Sequence, residues 1–177
     1  MVGTVKFFDP NGILTFQDVL LNQIEGFEPS EASNALSLPF AAEASWVTGK
    51  WDNLRKCLSS SAGSSQGDFN VGVGQALLAL SDGKLNQFSS LLDNLRHNTV
   101  RGLSATNTAS LQGCHDSMLR FHVLTEIEMI SSMQKVDQAR KSSLRTSLNL
   151  RLDTLGPFLS EKQYILGLRR AVMELSK

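Results

Sequence analysis

Apolar residues along the chain recur at helical spacing. Val73, Ala76, Leu77 and Leu80 fall at i, i+3, i+4 and i+7, and Leu85, Phe88, Leu92 and Leu95 follow at i, i+3, i+7 and i+10. Each set lies on one face of a 3.6-residue helix. Leu119, Val123, Ile127 and Ile130 form a third stripe, and Ile165, Leu168, Val172 and Leu175 a fourth. No alternation of apolar and polar positions is long enough for a sheet: Phe69, Val71 and Val73 alternate, but the glycines among them and the helical run that follows predict the start of a helix. Polar stretches divide the pattern. The run from Ser59 to Gly67, SSSAGSSQG, has no residue able to anchor a core and predicts a flexible loop. Gln134 to Ser143 separates the long helix after Asp116 from the closing helices. Ser160 and Gln163 have the spacing of a capping box for the last helix, and Pro39 suits the first turn of the helix running toward Trp46.

The pattern also repeats on a longer scale. Trp46, Gly49, Trp51, Leu54 and Leu58 recur as Leu80, Gly83, Leu85, Phe88 and Leu92, and Gly49 to Gly83 spans 83 − 49 = 34 residues, the tetratricopeptide period. A glycine in the left-handed conformation ends the first helix of a pair, and a large apolar residue two positions later begins the second. Trp46, Gly49, Trp51, Leu54, Gly83 and Phe88 are therefore structural repeat positions, the tryptophans filling the groove within a helix pair. A fainter copy around Gly12, Leu14 and Phe16 precedes them. The expected fold is all-α, a tetratricopeptide-like α-solenoid of stacked antiparallel helix pairs. Imperfect repeats are expected around 1–26, 39–60 and 68–97, with longer helices over 108–133 and 144–177.

Composition narrows the function classes. Seventeen Lys and Arg against 17 Asp and Glu leave no net charge, so the molecule as a whole offers no lure for nucleic acid or an anionic membrane. No apolar run reaches the roughly 18 residues of a membrane span, and Met1 to Phe8 does not read as a signal peptide. Two cysteines, Cys57 and Cys114, are too few for a disulfide framework and point to a reducing compartment.

Candidate chemistry is sparse. Val71 to Leu78, VGVGQALL, lacks the third glycine and the lysine of phosphate-binding turns, which leaves tight helix packing. Asp68-Phe69-Asn70 resembles a kinase magnesium triplet, but no catalytic-loop aspartate accompanies it. His115 and His122 share a helical face with Cys114 and Glu126 nearby; seven-residue spacing suits partly buried, hydrogen-bonded histidines better than zinc ligands. Cys57, beside Leu54 and Leu58, reads as a core thiol with raised pKa. Lys135, Arg140, Lys141, Arg145 and Arg151 have no interleaved aromatic residues and read as a solvated face. No catalytic, cofactor-binding or metal-binding residue is assigned.

Four collinear stretches add a resemblance. They are Val2-Gly3-Thr4-Val5-Lys6 with Gly12, Leu14, Gln23 and Gly26; Ala42 through Trp46 to Trp51-Asp52 and Leu58; Leu103-Ser104-Ala105 with Leu119 to Leu124 and Glu126-Ile127-Glu128; and Arg151-Leu152 with Ile165 to Val172. Together they resemble the helical FAT region of the ATR-type checkpoint kinases, within the phosphatidylinositol 3-kinase-related protein kinases. The resemblance implies a non-catalytic scaffold that supports and restrains a kinase domain lying outside these residues. It also implies a nuclear location, ATP and magnesium in that kinase domain only, and a regulatory subunit as partner beside the rest of the parent chain. Such kinases phosphorylate serine or threonine before glutamine, which makes Ser65, followed by Gln66, the candidate phosphosite. The alternative is a stand-alone tetratricopeptide adaptor binding a peptide or helix in its groove; a helical enzyme with a histidine-centred site ranks below both.

Overall fold

The computed structural model describes residues 31–60, 67–105, 111–135 and 138–176, and every regular element among them is helical. In chain order they are α1 (Glu31–Thr48), α2 (Trp51–Ser60), α3 (Phe69–Ser81), α4 (Leu85–Ala105), α5 (Leu111–Ser131) with a 3-10 turn at Ser132–Lys135, α6 (Gln138–Thr154) and α7 (Leu159–Leu175). Helix α1 packs on α2, α4 on α5, and α5 on both α6 and α7. This is the helix-pair packing of an α-solenoid. No described helix is long and apolar enough to cross a membrane. The faint repeat at 1–26 and Ser65 lie outside the described residues. The chain divides into two compact units, with the boundary between Gly74 and Gln75 inside α3.

The two turns 34 residues apart are built alike. Gly49 and Gly83 have φ of 73° and 70°, in the left-handed region that Cβ-bearing residues avoid. The Gly49 amide donates to the Trp46 carbonyl (3.3 Å) and the Lys50 amide to Ser45 (2.8 Å); Gly83 donates to Leu80 (3.1 Å) and Lys84 to Ala79 (2.9 Å). Both are Schellman closures, which satisfy the orphan carbonyls at a helix end. The lysine carbonyl then accepts the first bond of the next helix, from Leu54 (3.1 Å) and Phe88 (2.9 Å). One Gly-Lys pair therefore ends one helix and caps the next.

An added Cβ at Gly83 would meet no atom within 4 Å, so only the backbone opposes substitution there. Gly83→Ala is expected to destabilise the chain by about 1–2 kcal/mol, and Gly83→Asn by less. Urea unfolding followed by circular dichroism reads this, and equal midpoints for wild type and Gly83→Ala would overturn it.

In the first unit α1 buries Leu38, Ala41, Ala42, Ala44, Ser45 and Trp46, and α2 buries Leu54. The small residues let α2 approach closely, and the buried Ser45 hydroxyl is satisfied by donating to the Ala41 carbonyl at 2.7 Å. Pro39 lies inside α1, not in its first turn. It removes one backbone donor, a loss outweighed by the buried face on either side of it. Helix α2 continues through Ser60, so the polar run from Ser59 is helical at its start; 61–66 lie outside the described residues. Asp68, the first member of the kinase-like triplet, is the N-cap of α3: its Oδ1 accepts from the Asn70 and Val71 amides at 2.8 and 3.1 Å. Asn70 in turn donates to Glu43 Oε2 at 2.9 Å, tying α3 to α1. A Cβ at Gly74 would stand 3.1 Å from Leu54 Cδ1, so this glycine of the VGVG run serves close packing on α2.

In the second unit α4 contributes Phe88, Leu92, Leu95 and Thr99 to the core, and α5 contributes Val123, Leu124, Ile127 and Ile130. Leu85 is exposed despite its place in the apolar stripe, because the first residue of a helix points its side chain back past the helix end. Helix α6 starts at Gln138, earlier than the expected 144, so most of the polar break is an exposed helical face rather than a connection. It ends at a third left-handed glycine, Gly156 (φ 63°), whose amide donates to the Asp153 carbonyl at 3.0 Å. Pro157, with no amide hydrogen, cannot add the second Schellman bond. The N-cap of α7 is Phe158, without a side-chain bond, so the expected Ser160/Gln163 capping box does not form. The helix begins at Leu159, which places Ser160 inside the first turn instead of before it.

Candidate functional site

The polar residues that helical periodicity leaves unexplained meet where α5, α6 and α7 converge. Glu126 lies on the core face of α5 and is fully buried, and Arg169 on α7 is 6% exposed. The pairing is bidentate: Arg169 Nε donates to Glu126 Oε2 at 2.6 Å and Nη2 to Oε1 at 2.7 Å. Arg169 Nη2 also donates to the Leu148 carbonyl of α6, and Arg151, one turn on, places its Nε 3.9 Å from Glu126 Oε1. Two cations thus flank one buried carboxylate, and one of them, Arg169, also bonds a helix carbonyl. A planar guanidinium suits this role because its donors match both carboxylate oxygens and still reach a third acceptor.

His122 stands one turn before Glu126 on α5 and is half-buried. Burial, and then the nearby Arg151 guanidinium, push its pKa below the ordinary imidazole value; the Glu126 charge pulls the other way without prevailing. Its Nδ1 is buried without a hydrogen-bond partner among the described residues. Because the folded pKa is lowered, the unfolded chain takes up a proton first as pH falls through the ordinary value of about 6.5. Stability is therefore expected to decline from neutral pH downward through that window. His122→Gln should flatten this part of the profile, measured as urea midpoints from pH 7.5 to 5; an unchanged slope would refute the assignment.

His115 belongs to a separate contact. Its Nε2 lies 2.8 Å from Glu161 Oε1 on α7, and its ring is tilted against Phe158 with centroids 5.3 Å apart. The two histidines of the candidate face thus serve different joints. Cys57 is half-buried on α2, and burial raises its thiol pKa. Of the basic series, Arg140, Lys141 and Arg145 are exposed, whereas Arg151 turns inward to Glu126. Among the repeat positions Trp46 and Leu54 are fully buried, Phe88 is 7% exposed and Trp51 is half-buried.

Sequence reasoning missed Glu126 and Arg169 as a pair. The available signal was position: Glu126 falls between Val123 and Ile127 on a buried stripe, and Arg169 follows Leu168 on another. A charged residue on an apolar face calls for a partner of opposite sign.

A family model of the FAT domain matches residues 38–177, which takes in all of α2 to α7 and much of α1. The chain belongs to the FAT domain family. No match to a curated protein was found. FAT domains are non-catalytic helical regions of phosphatidylinositol 3-kinase-related protein kinases, and in this one the buried polar network ties helices together. The first resembling stretch, from Val2 to Gly26, lies outside the matched residues.

Proposed function

We propose that this FAT domain is the scaffold of an ATR-like serine/threonine protein kinase in DNA-damage checkpoint signalling, where it supports and allosterically restrains the kinase domain. The observation that carries the reading is the FAT match over 38–177. The ATR branch is favoured by the runs LSA, LRFHVLTEIE and LGLRRAV, which a generic tetratricopeptide array would not share. Glu126 and Arg169 fall within two of those runs, so the stretches that carry the likeness also carry the joint between α5, α6 and α7. A joint closed by a bidentate ion pair transmits displacement between helices instead of absorbing it. The kinase domain of the parent would hold ATP and magnesium, a regulatory subunit would bind the complex, and its place would be the nucleus.

The test is to tag the native protein in its own cells and purify it. A nuclear kinase that phosphorylates serine before glutamine, and gains basal activity when Arg169 is replaced by Met, is the expected result. A purified protein with no kinase in the same chain, capturing a peptide instead, would establish the adaptor reading.

A further inference from the structure

The first half of α6 presents a serine hydroxyl within a patch of cations that the buried network does not use. Arg140, Lys141, Ser142, Ser143, Arg145 and Thr146 are all exposed. Among the described residues neither Arg140, Lys141 nor Arg145 is in an ion pair, and no acidic residue occurs from Gln138 to Leu150. The neighbouring hydroxyls are engaged: Ser142 donates to the Ala139 carbonyl at 2.8 Å and Thr146 to the Ser142 carbonyl at 3.2 Å. No hydrogen bond ties the Ser143 hydroxyl to the described residues. Arg140 precedes Ser143 by three positions and Lys141 by two, and apolar Leu144 follows it.

We propose that Ser143 is a phosphorylation site for an arginine-directed serine/threonine protein kinase. Such an enzyme reads cations ahead of the acceptor through carboxylates in its own substrate groove, and Arg140 and Lys141 supply them. A substrate segment must be extended to enter that groove, and α6 permits this at low cost. None of residues 139–143 is buried, and the buried contribution of the helix begins farther on, at Leu148 with half-buried Leu144 and Ser147. Opening the first turns therefore breaks solvent-exposed backbone bonds and leaves the Glu126–Arg169 joint in place.

The step takes a magnesium-bound nucleoside triphosphate as co-reactant. The Ser143 Oγ attacks the γ-phosphorus, the bond from that phosphorus to the β,γ-bridging oxygen breaks, and nucleoside diphosphate leaves; the hydroxyl proton passes to a carboxylate base of the kinase. The product adds about −1.5 to −2 charge. Against the three positive charges of Arg140, Lys141 and Arg145, that addition removes about half to two-thirds of the local charge of this face. Arg140, one helical turn before the phosphate, is placed to pair with it.

The experiment incubates the full chain with labelled ATP, magnesium and the catalytic subunit of cyclic AMP-dependent protein kinase as the arginine-directed probe, and maps the label by peptide mass spectrometry. The expected result is phosphate on Ser143, none at that peptide in Ser143→Ala, and a rate at least about tenfold lower in Arg140→Gln. Circular dichroism confirms that both variants stay folded, as exposed substitutions should. A label on another residue, an unchanged rate in Arg140→Gln, or an inert folded chain under conditions that fully label a peptide of residues 137–149 would overturn the proposal.

Discussion

Replacing Glu126 with alanine is expected to destabilise the second unit by about 3–5 kcal/mol, since Arg169 is left as a buried charge with no counter-ion. The pair is buried and bidentate, so the loss belongs in the class of broken interior ion pairs and not of surface bridges. The exposed Arg96 bridge to Glu128 between α4 and α5 gives the contrast: Glu128→Ala should cost less than about 1 kcal/mol. Replacing both partners, Glu126→Leu with Arg169→Met, should recover most of the loss, because two apolar side chains of similar volume need no hydration. Recovery should stop short of full, as the Leu148 carbonyl loses the bond it accepted from Arg169. Urea unfolding of the wild type, Glu126→Leu, Arg169→Met and the double variant closes the double-mutant cycle. A Glu126→Ala loss below about 1 kcal/mol would mean that water reaches the carboxylate, and the rigid joint would be lost from the functional argument.

Trp46→Ala should be comparably damaging in the first unit, at about 3–5 kcal/mol, since truncating a fully buried tryptophan removes apolar burial and leaves a cavity that rigid neighbours fill only partly. Trp46→Phe retains much of the volume and should cost less. The chain has two tryptophans, so in either variant the half-buried Trp51 becomes the sole indole reporter. Its emission should shift red at lower urea in Trp46→Ala than in Trp46→Phe. Coincident transitions for the two variants would show that Trp46 does not fill the groove between α1 and α2.

The helix-ending glycines and the apolar stripes follow local rules. Gly49 and Gly83 could be read from glycine tolerance of positive φ, and Val73, Ala76, Leu77 and Leu80 from helical spacing. Asp68 shows how far a local rule reaches: as a kinase-like triplet it said nothing, yet its placement just before Phe69 is that of a helix cap. The differences at Pro39, Ser160 and the start of α6 all concern helix starts, which lie earlier in the chain than the local cap signals suggested, so that a cap or first-turn residue becomes an interior one. Ser160 has the right partner at the right spacing, but Pro157 and Phe158 start the helix too early for it to act.

The candidate site was legible only in part. Arg169 and Arg170 are adjacent and chemically identical, and position alone separates them: Arg169 stands four after Ile165 and three before Val172 on the buried stripe, which marks it as inward but not which carboxylate it meets. His115 and His122 share a face by spacing, yet one meets Glu161 and the other lies by Glu126 and Arg151.

By itself the sequence determined the helices, their left-handed glycine turns and the apolar stripes, because these follow from interactions within about one turn of chain. The tertiary structure alone decided that Arg169 closes on Glu126, 43 positions away, and on the Leu148 carbonyl. Such a pairing depends on the relative rotation of three helices, a quantity set by how their side chains interlock and not by the spacing of residues along any one of them.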